Sequence, residues 1–387
     1  MIPVAIDAVA ENELLALVAA EMFEGQDLEF KRELPPRSEA GRHELCADVS
    51  AFANANGGDI VFGIDEEGDG KASAIVPLTS NPDEDVRRLA DILANGVEPR
   101  IPGLLFRAVP VAGGHVIVIR IRQSWSAPHR VRTNQHFFIR EGPRRRQLDV
   151  PEVRSEFLRS EKLADQLRAF REERLGRILS GDAPVRLMAG AVTALHLFPL
   201  SSVANGVVDP LDFQNAHQVP MIAQAGGRHF RLNLDGALAF RPVGENGSGG
   251  YTQIFRNGRI EAVRVFSTQL PSGRYNLPST HYEAELLRFY TQITAEILRL
   301  GIGPPTMFAY SILNAKKSEL GLGNRLLLNV DSEDGLFDRD AILLPDVVMD
   351  EFSDAHVALR PLFDLVWQAA GLARSWNYDD RGNWVGR

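Results

Sequence analysis

The sequence predicts a mixed α/β chain of the α+β kind, two α/β domains joined by one charged helix. Three observations carry that prediction. Residues 28–65 read as strand, helix, strand; two β-rich runs at 104–111 and 115–122 flank Ala112, Gly113 and Gly114; and residues 149–179 sustain alternating charge at helical spacing. At 387 residues, 44% hydrophobic and 24% charged, the chain has the length for two or three domains and the material for a sizeable core. The boundaries expected are a first domain at 1–148, a linker helix at 149–180 and a second domain at 181–387.

Residues 11–22 give an amphipathic helix with Leu14, Leu15, Val18 and Met22 as its apolar stripe. Leu28, Glu29, Phe30 and Lys31 then alternate apolar with charged side chains, so Glu29 and Lys31 share one face of a strand, roughly 7 Å apart. Pro35 and Pro36 end it, and Ser38 caps a helix whose Leu45, Val49, Phe52 and Ala53 recur at helical spacing. Cys46, the only cysteine, sits on that apolar side and reads as a small buried hydrophobe. Gly57 and Gly58 make a tight turn into a strand that delivers Asp65 at its C-terminal end. Asn81, Pro82 and three following acids start a helix to about residue 95, since the cap, the N1 proline and the acidic first turn all suit the orphan amides. Then come the hairpin and a short strand from Phe137 to Arg140. Asp149 and Glu152 form a capping box for the charged helix.

In the second domain, strands are expected at 185–200, 230–240, 251–255, 260–266, 307–313 and 325–330, and helices at 282–300 and 356–370. Asn257 and Gly258 signal a hairpin turn. Trp367, Trp376, Tyr378 and Trp384 read as packing aromatics, and nothing in this half carries a chemical motif.

The net charge of −9 hides a division: residues 1–99 hold 7 Lys/Arg against 21 Asp/Glu, net −14, whereas residues 100–146 hold 10 Arg against one Glu, net +9. Arg120, Arg122, Arg130, Arg132, Arg140, Arg144, Arg145 and Arg146, interleaved with Trp125, His129, His136 and Phe137, make a candidate phosphate-binding face. Guanidinium forks grip phosphates and aromatic rings stack unpaired bases. Gly68 to Lys71 lacks the glycine and hydroxyl of a phosphate-binding loop, and one cysteine excludes Cys-rich zinc sites. The N-terminus has no basic signal-peptide start and no apolar run reaches membrane length, so a cytoplasmic protein with no membrane partner is expected.

Four blocks, in order, carry a family resemblance: Glu24 with Glu29, Phe30 and Lys31; Ala51 to Asn54 with Gly57 and Gly58; Gly63 to Asp65; and Phe138 to Gly142. Together they resemble the Schlafen-type, Alba-like domain of nucleic-acid-associated proteins, over roughly residues 10–150. The resemblance implies an Alba-like N-terminal domain and a nucleic-acid partner, RNA favoured over DNA. It further implies a metal-dependent endoribonuclease acting on structured RNA such as tRNA in bacterial defence or stress, with Glu24, Glu29 and Asp65 holding Mg or Mn and Lys31 assisting at the phosphate. Glu24 then has to turn inward at Gly25. The alternative is a non-catalytic DNA-binding regulator or scaffold using the same basic face, and the second domain is assigned sensing, homo-oligomerisation or partner binding.

Overall fold

In the computed structural model, which describes every residue except 5, 69, 125, 204–207, 214–218, 223–226, 301, 323–333 and 387, contacts divide the chain into Met1–Ala164 and Asp165–Arg387. The division falls inside the charged helix, not at either end of it.

In the first unit α1 (Glu11–Ala19) buries Leu14 and Leu17. It stops short of the expected 22 because Glu21 takes φ +45° and turns the chain. β1 (Leu28–Lys31) leads through a loop to α2 (Glu39–Asn54), capped by Ser38, whose hydroxyl accepts the Gly41 amide at 3.1 Å. β2 (Gly57–Phe62) returns parallel to β1, so strand, helix and strand form one crossover unit. The glycine pair is explained by closeness: a Cβ at Gly58 would strike the Phe52 ring and the Asp27 carbonyl, and Gly57 has φ +76°. β2 then ends at Gly63, whose φ of +104° breaks the run expected to reach Asp65. Asp65 belongs instead to β3 (Ile64–Glu67), which pairs with β4 (Lys71–Ile75) as a separate hairpin.

Helix α3 (Pro82–Gly96) starts as expected, with Asn81 Oδ1 accepting the Asp83 and Glu84 amides. After β5 (Val97–Glu98), the hairpin of β6 (Leu105–Val111) and β7 (Gly114–Arg122) completes a four-stranded sheet in the order β1, β2, β7, β6. β8 (Arg130–Val131) pairs with β5, and β9 (Phe138–Glu141) with β10 (Arg144–Gln147). One sheet face packs Leu28, Phe30, Val61 and Val118 against Ile2, Leu14 and Leu17; the other packs Ile60, Ile117 and Ile119 against Leu45, Val49 and Phe52 of α2 and Leu89 of α3. Full burial of each such side chain contributes roughly 1.5–3 kcal/mol, which is what holds both layers to the sheet. Cys46 is buried as expected, and burial pushes its thiol up to about 11.

α4 (Val150–Ser180) opens on the expected capping box, with Asp149 and Glu152 each accepting the other's amide at 2.9 Å. Its C-terminal half is no solvated linker. Leu175 and Ile178 join the core of the second unit, and Arg174 forks onto Glu261 at 2.6 and 3.0 Å.

The second unit is an eight-stranded sheet of β11 (Ala191–Pro199), β12 (His229–Leu232), β13 (Gly236–Val243), β14 (Gly247–Phe255), β15 (Ile260–Phe266), β17 (Thr306–Leu313), β19 (Ala341–Leu343) and β20 (Val347–Met349). β16 (Tyr275–Pro278) and β18 (Ser318–Gly321) form a small parallel pair. The strand expected at 230–240 is a hairpin, β12 and β13, because Asn233 Oδ1 accepts the Gly236 amide and closes a turn. The strand expected at 325–330 lies outside the described residues, as does Trp125. Helices α5 (Ser279–Arg299) and α6 (Ala355–Ala369) cover one sheet face, α4 the other. The C-terminal aromatics pack as expected: Trp367 and Trp384 donate to buried Glu283, at 2.9 and 3.1 Å, and Trp376 stacks at a tilt on Trp367.

Candidate functional site

Glu29 and Lys31 lie on the α2 side of β1, in register with Ile60 and Phe62. That face is covered rather than open to solvent. Glu29, 5% exposed, is gripped by Arg140 from β9, and Lys31 Nζ stands 2.6 Å from its other oxygen. Arg140, 4% exposed, also donates to the Gly25 carbonyl at 3.1 and 3.2 Å, and its guanidinium lies 4.4 Å over the Phe52 ring. Lys31 further approaches Asp48 of α2 at 3.9 Å, and Asp48 pairs with Arg145 of β10. β1, α2 and the β9–β10 hairpin are thus tied by one alternating chain of charges.

Asp48 escaped the sequence reading although a signal existed. It stands in the otherwise apolar run from Leu45 to Val49, where a carboxylate needs a partner to be buried. Burial and the neighbouring Glu29 charge outweigh Arg145 and Lys31 and push the Asp48 carboxyl up to about 7. Burial opposes the charge on Lys31, but Glu29 and Asp48 outweigh it and hold the ammonium above its ordinary value.

Glu24 does turn inward. Gly25 closes a tight turn by donating to the Leu28 carbonyl at 3.0 Å, and Glu24 Oε1 accepts the Phe30 amide at 2.8 Å. Burial raises its carboxyl above the ordinary value, the Phe30 amide opposes that, and the nearby Glu29 and Glu66 charges add to it. Asp65 does not join this pair: its carboxylate is held by Arg32 at 2.5 Å, on the separate β3–β4 hairpin. Hard divalent cations need several oxygens free to coordinate. Here Glu29 is shared between Arg140 and Lys31, and among the described residues no group of three or more His, Cys, Asp or Glu side chains is arranged to hold a metal ion. As arranged, Glu24, Glu29 and Asp65 do not fit the Mg or Mn site the resemblance implies. Lys31 neutralises Glu29 rather than standing free for a phosphate.

The arginine run divides in the same way. Arg120 is 7% exposed, forks onto Asp59 at 2.8 and 2.9 Å and donates to the Ile2 and Val4 carbonyls, so it anchors the N-terminal segment and cannot reach a ligand. Arg140 is likewise removed from the candidate face by burial. Arg130 and Arg132 share Glu98, at 3.0 and 3.7 Å, and Arg146 is held between Glu141 and Glu152 at 2.5 and 2.7 Å. Arg122 ends β7, half-buried, and Arg144 is exposed at the start of β10. Arg145, half-buried, lies 5.3 Å over the Phe138 ring.

Around Phe138 is a polar patch that the sequence reading only half saw. His43 and His136 meet the ring edge-on, and Asn134 Nδ2 bridges them at 3.4 and 3.2 Å. His129, in contrast, is buried on the Pro99 carbonyl, and burial pushes its imidazole down to about 4, so it stays neutral and structural. The expected Arg and aromatic surface therefore narrows to the β9–β10 hairpin and the first turns of α2.

Residues 24–149 match the family model described as Schlafen, AlbA_2, and the first unit carries that domain. Among solved structures, the DIP2311 protein from Corynebacterium diphtheriae is 19% identical over 36% of this chain and 27% of its own, with a TM-score of 0.25. The N-terminal domain of a putative ATP-dependent DNA helicase RecG-related protein from Nitrosomonas europaea is 21% identical over 30% of this chain and 74% of its own, with a TM-score of 0.24. The chain thus spans about a quarter of the first of these relatives. No curated protein matches it. Among the described residues no helix is long and apolar enough to cross a membrane.

Proposed function

We propose that the AlbA_2 domain at residues 24–149 binds nucleic acid, structured RNA in preference to DNA, without needing a metal to do so. The observation that carries this reading is the β9–β10 hairpin, where Arg145 lies over the Phe138 ring that His43 and His136 meet edge-on, and exposed Arg144 and Arg146 flank it along β10. Guanidinium groups supply phosphate contacts, and a partly exposed ring flanked by imidazoles offers an unpaired base a stacking surface with donors and acceptors at its rim. Unpaired bases are a feature of folded RNA rather than of duplex DNA. The ion pairs of Arg146 with Glu141 and Glu152 do not oppose this use, because they are solvent-exposed, contribute little and are readily exchanged for a phosphate, whereas Arg145 stays tied to buried Asp48 and offers the rest of its guanidinium. The setting proposed is cytoplasmic, with the second unit sensing a signal or pairing copies of the chain.

One observation favours a second reading, metal-dependent cutting: Glu24 turns inward onto the Phe30 amide, within reach of the Glu29 and Glu66 charges. A single experiment separates the two. The purified protein is titrated against tRNA, single-stranded RNA and duplex DNA with EDTA and with Mn²⁺, and product is run on a denaturing gel, beside Glu24→Ala, Glu29→Gln and Asp65→Ala variants. Tight binding in EDTA without product supports the binder. Mn²⁺-dependent product lost in all three variants supports the nuclease, and no binding to any nucleic acid in low salt sinks both.

A further inference from the structure

The arginines that stand out in the sequence are the ones the fold mostly neutralises. A cluster of four that it leaves without a carboxylate lies elsewhere, in the half of the domain that is acidic overall. A groove of about 430 Å³ between the start of α2 and α3 is lined by Arg37, Arg42, Arg87 and Arg88, with Glu84 and Asp91. Among the described residues none of these four guanidinium groups is ion-paired, although Glu84 with Arg88 and Arg87 with Asp91 have the i,i+4 spacing for it. Arg37, Arg42 and Arg87 are exposed.

The groove is built rather than accidental. Arg88 Nη1 donates to the Pro35 carbonyl at 2.9 Å, and Pro36 packs so closely on Gly41 that a Cβ there would lie 2.5 Å from the Pro36 carbonyl oxygen. The loop before α2 is therefore pinned to both helices, and Arg37 leaves it just before the Ser38 cap. The positive end of the α2 dipole adds to the four guanidinium charges there.

We infer that this groove is a second phosphate-binding site, taking the sugar-phosphate backbone of the strand whose bases the β9–β10 hairpin holds. The inference rests on the nucleic-acid reading above. Continuity argues for it: Arg42 lines the groove, while the adjacent His43 belongs to the Phe138 patch and Arg145 donates to the Glu44 carbonyl. The two surfaces flank one helix, 10–12 Å across with its side chains, and a single strand of about a dozen nucleotides covers that span.

The test uses the full chain and a 12-nucleotide single-stranded RNA, with affinity measured by fluorescence anisotropy from 50 to 200 mM salt. Arg37→Ala/Arg42→Ala/Arg87→Ala is expected to weaken binding at least about tenfold and to make the log–log salt slope shallower by about 2, three lost phosphate contacts at roughly 0.7 each. Asp91→Asn, which removes an opposing charge, is expected to tighten binding a few-fold. A wild type that binds with an unchanged triple variant overturns the groove while leaving the hairpin reading intact. A wild type that binds no strand overturns both. Competition by pyrophosphate or ATP at the concentration of the strand, lost in the triple variant, would assign the groove to a free nucleotide and overturn the backbone reading.

Discussion

Arg140→Ala separates structure from contact most sharply. The side chain is 4% exposed, meets Glu29, donates to the Gly25 and Leu28 carbonyls and covers the Phe52 ring, so alanine strands a buried carboxylate and the Gly25 turn together. Removing one partner of a buried pair costs about 3–5 kcal/mol. Lys31, already 2.6 Å from Glu29, keeps the loss from going higher. For a unit of 164 residues, 1 kcal/mol moves the melting temperature by about 2–4 °C, so a fall of roughly 6–20 °C is expected in scanning calorimetry of the full chain. Arg140→Lys should recover little, because an ammonium cannot span Glu29 and two carbonyls as the planar fork does. Glu29→Gln with Arg140→Met should recover much of it, since neither charge then remains buried. An Arg140→Ala protein that melts within about 1 kcal/mol of wild type while losing RNA binding would refute the reasoning and return Arg140 to the ligand face.

Other expectations follow from the same contacts. Asp48, with its carboxyl raised to about 7 by burial and Glu29, contributes stability that is present below its unfolded pKa of about 4 and lost as pH rises through 7. The unfolding free energy of wild type from urea titrations should thus fall relative to Asp48→Asn between pH 4 and pH 8, by at most about 4 kcal/mol, and a constant difference across that range would contradict it. Arg120→Ala should cost about 3–5 kcal/mol and expose the first residues to proteolysis, because Asp59 and the Ile2 and Val4 carbonyls lose their shared partner; an uncut N-terminus would count against that anchor. Glu283→Ala should leave Trp367, Trp384 and Ser375 without their acceptor, costing about 3 kcal/mol and red-shifting tryptophan emission; an unchanged spectrum would show that the tail is held otherwise.

Much of the first unit was legible because its signals are local. The Ser38 and Asn81 caps, the Asp149 capping box, the glycine pair and the Gly113 hairpin each depend on residues a few positions apart, and all formed where expected. The Glu24 turn was legible for the same reason. What the sequence could not convey was pairing at a distance. Nothing near Arg120 announces Asp59, and nothing near Arg140 announces Glu29, more than a hundred positions away. Charge counted along the chain therefore pointed to residues 120–146, while the cluster of arginines without carboxylate partners, at 37, 42, 87 and 88, lies in a stretch whose count is negative. Asp65 was misplaced by one residue's conformation, the positive φ of Gly63, which turns a continuing strand into a new hairpin.

The position of the unit boundary within α4 decides how the protein can be dissected. A fragment beginning at 181, where composition suggests a cut, would lack Arg171 and Arg174 and leave Glu261 in the sheet with only His196 and Tyr251 as hydrogen-bond partners. It would also uncover Val263 and Leu313, where Leu175 and Ile178 pack. A fragment beginning near Asp165 keeps both arginines and both apolar residues. The helix that looks like a tether is thus divided between the two units: its second half is an inseparable layer of the second, and its first turns, with Phe157 against Phe137 and Glu152 on Arg146, belong to the first.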